Sequence, residues 1–242
     1  MKYNLKYSRF GERSILIEWP QFIDENMLQD ILNFKKCIQK LYIEQKVEII
    51  NTYNSILISC EFTIENINDE MLHLSSLYSG LNIGDILETR LWEIPVCYND
   101  DFGFDLEAMS IAKSLSKAEI IKRHSEQIYT VFFIGFLPGF LYLGGLDESL
   151  HFNRKSTPNL DIKKGAVGIG GNQTGIYPKN SPGGWHIIGQ SPIDFFDINS
   201  DNPCFAKAGD KVKFQPVSRA IYDEILSEVK SNSFQLKSRI YD

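Results

Sequence analysis

The sequence predicts an α+β protein with a small N-terminal α+β domain, residues 1–90, followed by a second domain, residues 91–242. Two observations support this division. Strand-like and helix-like segments alternate in the first part of the chain, and from Ile128 onward short apolar runs are separated by Gly, Pro and Asn, a pattern typical of a strand-rich barrel or sandwich. The length of 242 residues suits one large domain or two smaller ones, each with a sizeable core.

The N-terminal domain is predicted to contain four strands and two helices. Alternating polar and apolar residues indicate strands in KYNLKYSRF and SILIEW, and VEIINTYNSILISCEF supplies two more. The first helix is capped by Asp24, and the second follows the fourth strand. Their apolar stripes consist of Leu28, Ile31, Leu32 and Ile38 in the first helix, and of Ile67, Met71, Leu74 and Leu77 or Tyr78 in the second.

Beyond the N-terminal domain, a strand-like segment, ILETRLWEIPVCY, ends at a turn formed by residues 99–101. The segment LEAMSIAKSL is helical. Ser116 and Glu119 fit the S-x-x-E capping box of a further helix that runs through His124. The chain then becomes strand-rich, and SRAIYDEILSEVK is predicted to be a final amphipathic helix.

The composition and charge exclude several classes of function. With 43% apolar, 12% aromatic and 23% charged residues, the chain resembles a soluble globular protein. The net charge of -6 argues against a nucleic-acid or anionic-membrane partner, which requires clustered Lys and Arg. The N-terminus lacks the apolar stretch of a signal peptide, and the longest apolar run, VFFIGFLPGFLYLGGL, is short and broken by Pro138. We therefore expect a cytoplasmic protein.

The cysteines and histidines do not have the spacing of a metal site. The four cysteines contain no C-x-x-C pair and are predicted to be reduced core thiols. The four histidines show neither H-x-x-x-H nor H-E-x-x-H spacing, so no metal ligand set is expected.

The segment QTGIYPKNSPGGWHIIG, from Gln173 to Gly189, contains an unusual number of glycines and prolines. Proline followed by glycine within residues 181–184 predicts a type II turn that holds Tyr177 and Trp185 at a fixed separation. Gly170, Gly171 and Gly175 would allow a ligand or another strand to approach the backbone closely. One interpretation is an aromatic-walled cleft. The alternative is that these residues turn the corners of a barrel and fill its core.

Three segments in this order, GFLPGFLYLGGLD, KKGAVGIGGNQTGIYP and SPGGWHIIGQSP, resemble the family of the 5-oxoprolinase B subunit, also called the KipI or allophanate hydrolase subunit 1 family. This family is related to part of the carboxyltransferase domain of urea carboxylase. Further matching segments, from FGERSILIEW near the start to AGDKVKFQPV near the end, extend the resemblance across the chain.

The resemblance implies a small N-terminal α+β domain followed by a cyclophilin-like β-barrel domain. It also implies that the chain is the B subunit of an ATP-dependent 5-oxoprolinase, which hydrolyses the lactam 5-oxoproline to glutamate. The partners would be the A and C subunits of 5-oxoprolinase, of which the C subunit resembles allophanate hydrolase subunit 2. Two alternatives stay open: a KipI-like inhibitor of a sensor histidine kinase, and a subunit of an allophanate hydrolase or urea carboxylase-like system with a biotin-dependent partner.

The expected substrate cleft lies between residues 135–142 and the segment from Tyr177 to Trp185. Its binding residues are predicted to be Phe136, Tyr142, Gln173, Thr174, Tyr177, Ser181 and Trp185, with Arg154 and His124 as catalytic candidates.

Several of these side chains have both a functional and a purely structural interpretation. Arg154 matches an arginine of the family's Pro-Arg signature and could bind the substrate carboxylate in bidentate fashion, or form only a surface salt bridge. Gln173 and Thr174 suit the N–H and C=O of a lactam, but a strand-end hydrogen bond is an equally simple role. His124 could shuttle protons near neutral pH, although a lone helical histidine is more often structural.

The chain departs from the family pattern where a second Pro-Arg pair is expected, because it reads Thr157-Pro158-Asn159 there. Either the substrate differs, or Lys163 or Lys164 replaces the missing arginine. The sequence also lacks the G-x-x-x-x-G-K-[ST] phosphate loop, so ATP chemistry is expected to be shared with partner subunits, and contact of this chain with ATP is left open.

Overall fold

The computed structural model describes residues 2–43, 45–81 and 88–241, and the chain divides into two units, residues 1–87 and 88–242. The described residues of the N-terminal unit form four strands and two helices: β1 (Lys6–Arg9), β2 (Ser14–Glu18), α1 (Glu25–Leu41), β3 (Val47–Asn51), β4 (Ser55–Cys60) and α2 (Ile67–Ser79). Its strands form an antiparallel sheet of order β1-β2-β4-β3.

The core of the N-terminal unit joins one face of the sheet to the apolar stripe of α1. The Asp24 side chain accepts a hydrogen bond from the backbone N–H of Met27 at 2.9 Å and so begins α1 at the predicted residue. Ile31 and Ile38 of this helix are fully buried against Ile17 and Ile56 of the sheet. The apolar residues that alternate along the strands and those on one face of α1 therefore pack into a single core.

The C-terminal unit is built on an eight-stranded sheet of order β12-β9-β10-β7-β6-β13-β5-β14. β5 and β13 run parallel, and β8 and β11 pair separately. Its elements are β5 (Thr89–Val96), α3 (Leu106–Lys113), α4 (Lys117–Glu126), β6 (Tyr129–Ile134), β7 (Leu141–Gly144), β8 (Asn159–Ile162), β9 (Ala166–Gly170), β10 (Gln173–Ile176), β11 (Ser181–Gly183), β12 (His186–Gln190), β13 (Lys211–Pro216), α5 (Arg219–Lys230) and β14 (Ser238–Tyr241). Residues 86 and 87 of the predicted strand before Tyr98 lie outside the described residues.

The large sheet bends back on itself at one end. Cys97, directly after β5, exchanges two backbone hydrogen bonds of 2.9 Å with Gln190, the last residue of β12. The predicted α+β class is confirmed. The order of the described strands is nevertheless open, with β12 and β14 at its edges, so the cyclophilin-like barrel stays a prediction.

Helices α4 and α5 of the C-terminal unit begin at serine caps. Ser116 accepts from the backbone N–H of Glu119 at 3.1 Å, as the capping-box pattern predicts, and Ser218 caps α5 in the same way. Helix α4 packs against β13, where the His124 ring stacks on Phe214 with ring centroids 4.6 Å apart. In the described part of the chain, no helix has both the length and the apolar character that crossing a bilayer requires.

The predicted type II turn at residues 181–184 is wrong. Ser181–Gly183 is strand β11, paired with β8, and Gly183 does not have a positive φ. The pairing with β8 keeps this backbone extended. The turn lies instead at residues 137–140, where Pro138 precedes Gly139 with φ +83° and the N–H of Phe140 donates to the carbonyl of Leu137 at 3.0 Å.

Candidate functional site

The indole of Trp185 lies on a face of β9 and β10 that consists of glycines. A Cβ added to Gly170 would lie 2.3 Å from Cδ1 of Trp185, and one added to Gly175 would lie 3.1 Å from its Cζ3. A Cβ on Gly168 would meet the Trp185 Cβ at 3.2 Å. These glycines give space to a side chain of the protein itself, whereas the sequence had suggested space for a ligand or another strand.

Three aromatic rings surround the indole. Phe140 stands edge-on to Trp185 with ring centroids 5.4 Å apart and an interplanar angle of 75°, and edge-on to Tyr177 at 5.3 Å and 89°. The Tyr142 ring lies 4.9 Å from that of Phe140. Burial raises the pKa of Tyr177 to about 12, although its hydroxyl accepts a hydrogen bond from the backbone of Trp185. Edge-to-face contacts of this kind hold each ring in one orientation.

A cleft of about 110 Å³ opens beside these rings. Phe136 stands at its exposed side, with 63% of the residue accessible and a left-handed backbone at φ +65°, which is uncommon for an aromatic residue. The lining residues are Phe136, Phe140, Tyr142, Arg154, Tyr177, Gly183, Gly184 and Trp185.

Arg154 supplies the positive charge of the cleft. Its guanidinium carbon lies 5.7 Å from the Trp185 ring, within the range of a cation–π contact. Its Nη2 is 3.5 Å from Oε1 of Gln173, at the limit of a hydrogen bond. Among the described residues, no carboxylate lies within ion-pair distance of Arg154. The surface salt bridge, which was the alternative interpretation of Arg154, is therefore not formed with the described residues, and the guanidinium is available to an anion.

The backbone on both sides of Arg154 is bonded to the segment that carries Trp185. The carbonyl of Asn153 accepts from Nε2 of His186 at 3.0 Å, and the N–H of Lys155 donates to the carbonyl of Gly184 at 2.8 Å. Residues 153–155 and 184–186 thus lie side by side. Because side chains alternate along extended segments, Arg154 and Trp185 come to the same side.

The structure places His124 and Thr174 in the core of the C-terminal unit, away from the residues that line the cleft. Both are fully buried. Thr174 donates to the carbonyl of Gly168 at 3.0 Å, so Nε2 of His124 is the donor in its 2.9 Å contact with Thr174. Nδ1 then accepts from the Tyr98 hydroxyl at 2.8 Å. The imidazole is neutral and fully hydrogen-bonded, which is a structural role.

Burial lowers the pKa of His124 from 6.5 to about 3. The charged form would be far from water, and with Nδ1 protonated the Tyr98 hydroxyl could no longer donate to it. Proton transfer near neutral pH, the catalytic role expected from the sequence, therefore has no support in this geometry.

The other predicted polar residues differ in position. Gln173 is half-buried at the start of β10 and reaches Arg154, but it is not among the residues that line the cleft. Ser181 is buried in β11 and does not line the cleft, and its Oγ has no hydrogen-bond partner among the residues that the structure describes. Lys163 and Lys164 are paired with Asp161 and Asp194, so neither is an open substitute for the missing arginine.

Phe140, Gly183 and Gly184 line the cleft and lie within the two segments predicted to border it, but the sequence analysis did not name them as binding residues. A signal for Phe140 was present, because it follows the Pro-Gly pair of GFLPGF, ends the turn and directly precedes β7. A larger cavity of about 470 Å³ lies in the N-terminal unit beside Tyr42 and Glu70, but this carboxylate already accepts a hydrogen bond from the Tyr42 hydroxyl.

Comparison with known proteins gives a family match over residues 5–206, to the carboxyltransferase domain, subdomain C and D. The chain is 42% identical over 168 residues to the 5-oxoprolinase B subunit of Haemophilus influenzae, covering 69% of this chain and 78% of the relative. It is 44% identical over 133 residues to the 5-oxoprolinase B subunit of Bacillus subtilis, covering 55% of each protein. The match thus spans only about half the length of the second relative.

The fold is shared with a much larger enzyme. The crystal structure of Kluyveromyces lactis urea carboxylase aligns with 99% of this chain and 24% of its own, at a TM-score of 0.83. Because the sequence identity is only 19%, this likeness shows the fold and nothing further.

Gly170→Ala should destabilise the protein by about 1 to 3 kcal/mol, because the added methyl group overlaps the Trp185 indole and forces it to move. Urea unfolding measures the loss, and a red-shifted tryptophan emission would report the displaced ring. Gly135→Ala is the matched control, since its nearest neighbour is the Phe133 ring at 3.6 Å and its φ is not left-handed. Equal stabilities of the two variants would contradict the close packing of Trp185 on Gly170.

The His124 imidazole should stay neutral between pH 8 and pH 5, as followed by the NMR shift of its Cε1–H and assigned with His124→Asn. Because its folded pKa lies below that of the unfolded chain, the stability from the neutral ring is complete above about pH 6.5. It is lost at roughly 1.4 kcal/mol per pH unit as the pH falls toward 3. A titration midpoint between pH 6 and 7 would show that the ring reaches water.

Proposed function

The chain belongs to the family of the carboxyltransferase domain, subdomains C and D, and we propose that it is the B subunit of an ATP-dependent 5-oxoprolinase. Such a complex hydrolyses the lactam 5-oxoproline to glutamate. Three curated relatives at 42%, 44% and 43% identity are named as B subunits of 5-oxoprolinase, which supports this assignment over the urea-derived substrates of more distant family members.

The observation that carries the proposal is the open guanidinium of Arg154 over the Trp185 ring. A carboxylate can take two parallel hydrogen bonds from one guanidinium, which a lysine at this position could not provide. The aromatic walls suit the small apolar part of a lactam ring, and the partial burial of the cleft strengthens its charged contact. In this arrangement the substrate carboxylate binds Arg154 and the ring packs against Trp185.

The amide of Gln173 is the group of this chain that can form hydrogen bonds to the lactam itself. It lies beside Arg154, and it offers both a donor and an acceptor. A lactam presents one N–H and one C=O, and both lose their water when the ring enters the cleft. We assign to Gln173 the orientation of the ring, so that this chain binds and orients the substrate.

The cleft does not fit ATP. Its volume of about 110 Å³ and the single cation among its lining residues suit a small monoanion, whereas a triphosphate needs several donors or a phosphate loop. We therefore assign the binding of ATP to the partners, which would be the A and C subunits of the complex. The complex is expected to act in the cytoplasm.

We further propose that the C-terminal unit is a cyclophilin-like β-barrel. In support, the two hydrogen bonds between Cys97 and Gln190 join the end of β12 to the end of β5 on the opposite side of the sheet order. A sheet that meets itself in this way approaches closure.

The purified chain alone should not turn over 5-oxoproline, whereas the chain combined with the A and C subunits and ATP should release glutamate. The reason is that the cleft supplies substrate binding but no site for ATP. The measurement is ATP-dependent glutamate release by the chain, by the partners and by the complete complex. Rapid glutamate release by the chain alone would contradict the assignment of ATP binding to the partners. If the complex is inactive and instead inhibits autophosphorylation of a sensor histidine kinase, the kinase-inhibitor alternative would replace the proposal.

Arg154→Ala should raise the KM of the complex for 5-oxoproline by about 10- to 100-fold, because charged hydrogen bonds worth roughly 1.5 to 3 kcal/mol are removed. The fold should keep its stability within about 0.5 kcal/mol, since Arg154 is exposed. Arg154→Lys should be intermediate, and Lys179→Ala, an exposed cation outside the cleft, should behave as wild type. An unchanged KM in Arg154→Ala would remove Arg154 from the site.

A further inference from the structure

Asp105 occupies the N-cap position of α3 but does not cap the helix. Its side chain makes no hydrogen bond to the helix N-terminus, although aspartate is among the best capping residues. One carboxylate oxygen accepts from Nζ of Lys155 at 2.7 Å, and the other accepts from the backbone N–H of Ile187 at 2.7 Å. The side chains of Asp105 and Lys155 are only 13% and 23% exposed. The carboxylate therefore joins two segments distant in sequence from α3.

These two segments are the ones that carry Arg154 and Trp185. Lys155 directly follows Arg154, and Ile187 lies two residues after Trp185. The backbone N–H of Asp105 also donates to the carbonyl of Ile187 at 3.0 Å, so both the backbone and the side chain of Asp105 hold the start of β12. The ion pair with Lys155 then fixes the Arg154 segment to the same point.

We propose that Asp105 is a positioning residue for substrate binding: through Lys155 and Ile187 it holds Arg154 over Trp185 in the geometry that accepts a carboxylate. This inference rests on the proposed function, since it names 5-oxoproline as the ligand whose affinity is affected. Arg154 itself is exposed and has few contacts of its own. Its alignment therefore depends on the backbone beneath it. Without the bonds from Asp105 to Lys155 and Ile187, substrate binding would have to order the segment that carries Arg154. The entropy cost of this ordering would weaken the affinity for the substrate.

The positioning role predicts a change in KM without a matching change in kcat. In the complete complex, Lys155→Met keeps the aliphatic stem and the backbone bond to Gly184 but removes the ion pair, and should raise the KM for 5-oxoproline about tenfold with kcat within twofold. Asp105→Asn should act in the same direction. Lys155→Arg restores a cation opposite Asp105 and should return KM to within about threefold of wild type.

The matched control is Glu107→Gln, which removes an exposed ion pair with Lys117 from the first turn of the same helix and should leave both constants unchanged. The proposal is overturned if Lys155→Met and Asp105→Asn leave KM within twofold. It is equally overturned if kcat and KM change only in proportion to the fraction of protein unfolded, or if Lys155→Arg fails to restore affinity in a folded protein.

A second readout needs no substrate and separates this inference from the proposed function. The chain has three tryptophans, and the indole N–H groups of Trp19 and Trp92 are bonded to Asp30 and Asp210. In ¹⁵N-labelled chain, the third indole signal, assigned with Trp185→Phe, reports on the cleft. Lys155→Met should shift or broaden this signal and leave the other two in place. If the wild-type complex proves inactive, the proposed function fails. Even then, an altered Trp185 signal in Lys155→Met would support the positioning role of Asp105, and an unchanged signal would overturn it.

Discussion

The position of the Trp185 indole depends on three residues that have no side chain. Gly168, Gly170 and Gly175 leave a flat area on neighbouring strands β9 and β10, and any larger residue at Gly170 would occupy the space of the ring. Phe140 and Tyr177 then meet the indole edge-on, and the segment before it runs beside residues 153–155. The space left by these glycines is therefore the origin of the cleft, because it determines where the Trp185 indole, the largest aromatic side chain of the lining, can lie.

The described cations around the cleft differ in whether a carboxylate pairs with them. Lys155, Lys163 and Lys164 each have a carboxylate partner, whereas the contacts of Arg154 with the described residues are those to Gln173 and to the face of Trp185. The buried polar chain around His124 is satisfied and neutral, so it joins α4 to β10 without offering a titrating group. These features suit the proposed role of the chain as a subunit that binds and orients an anionic substrate.

Local signals in the sequence were sufficient for the helix starts at Asp24 and Ser116, because a cap depends on a few adjacent residues. The cleft was also predictable in part, since its motif residues Tyr142, Arg154, Tyr177 and Trp185 do line one cavity. Contacts between distant segments were not predictable. The pairing of β8 with β11 displaced the expected turn, Thr174 faces inward to His124, and β14 pairs with β5 although its sequence is short and mostly exposed. A pattern of residue types does not specify which face of a strand a distant helix will cover.

Arg154 and Trp185 are the proposed binding site for the substrate carboxylate and ring. The most direct test is a crystal structure of the complete complex with 5-oxoproline. We expect a carboxylate with both oxygens within about 3 Å of the Arg154 guanidinium, and the lactam ring in contact with Trp185. Density for the substrate at another site, with Arg154 facing solvent or paired with a carboxylate from one of the partners, would contradict it.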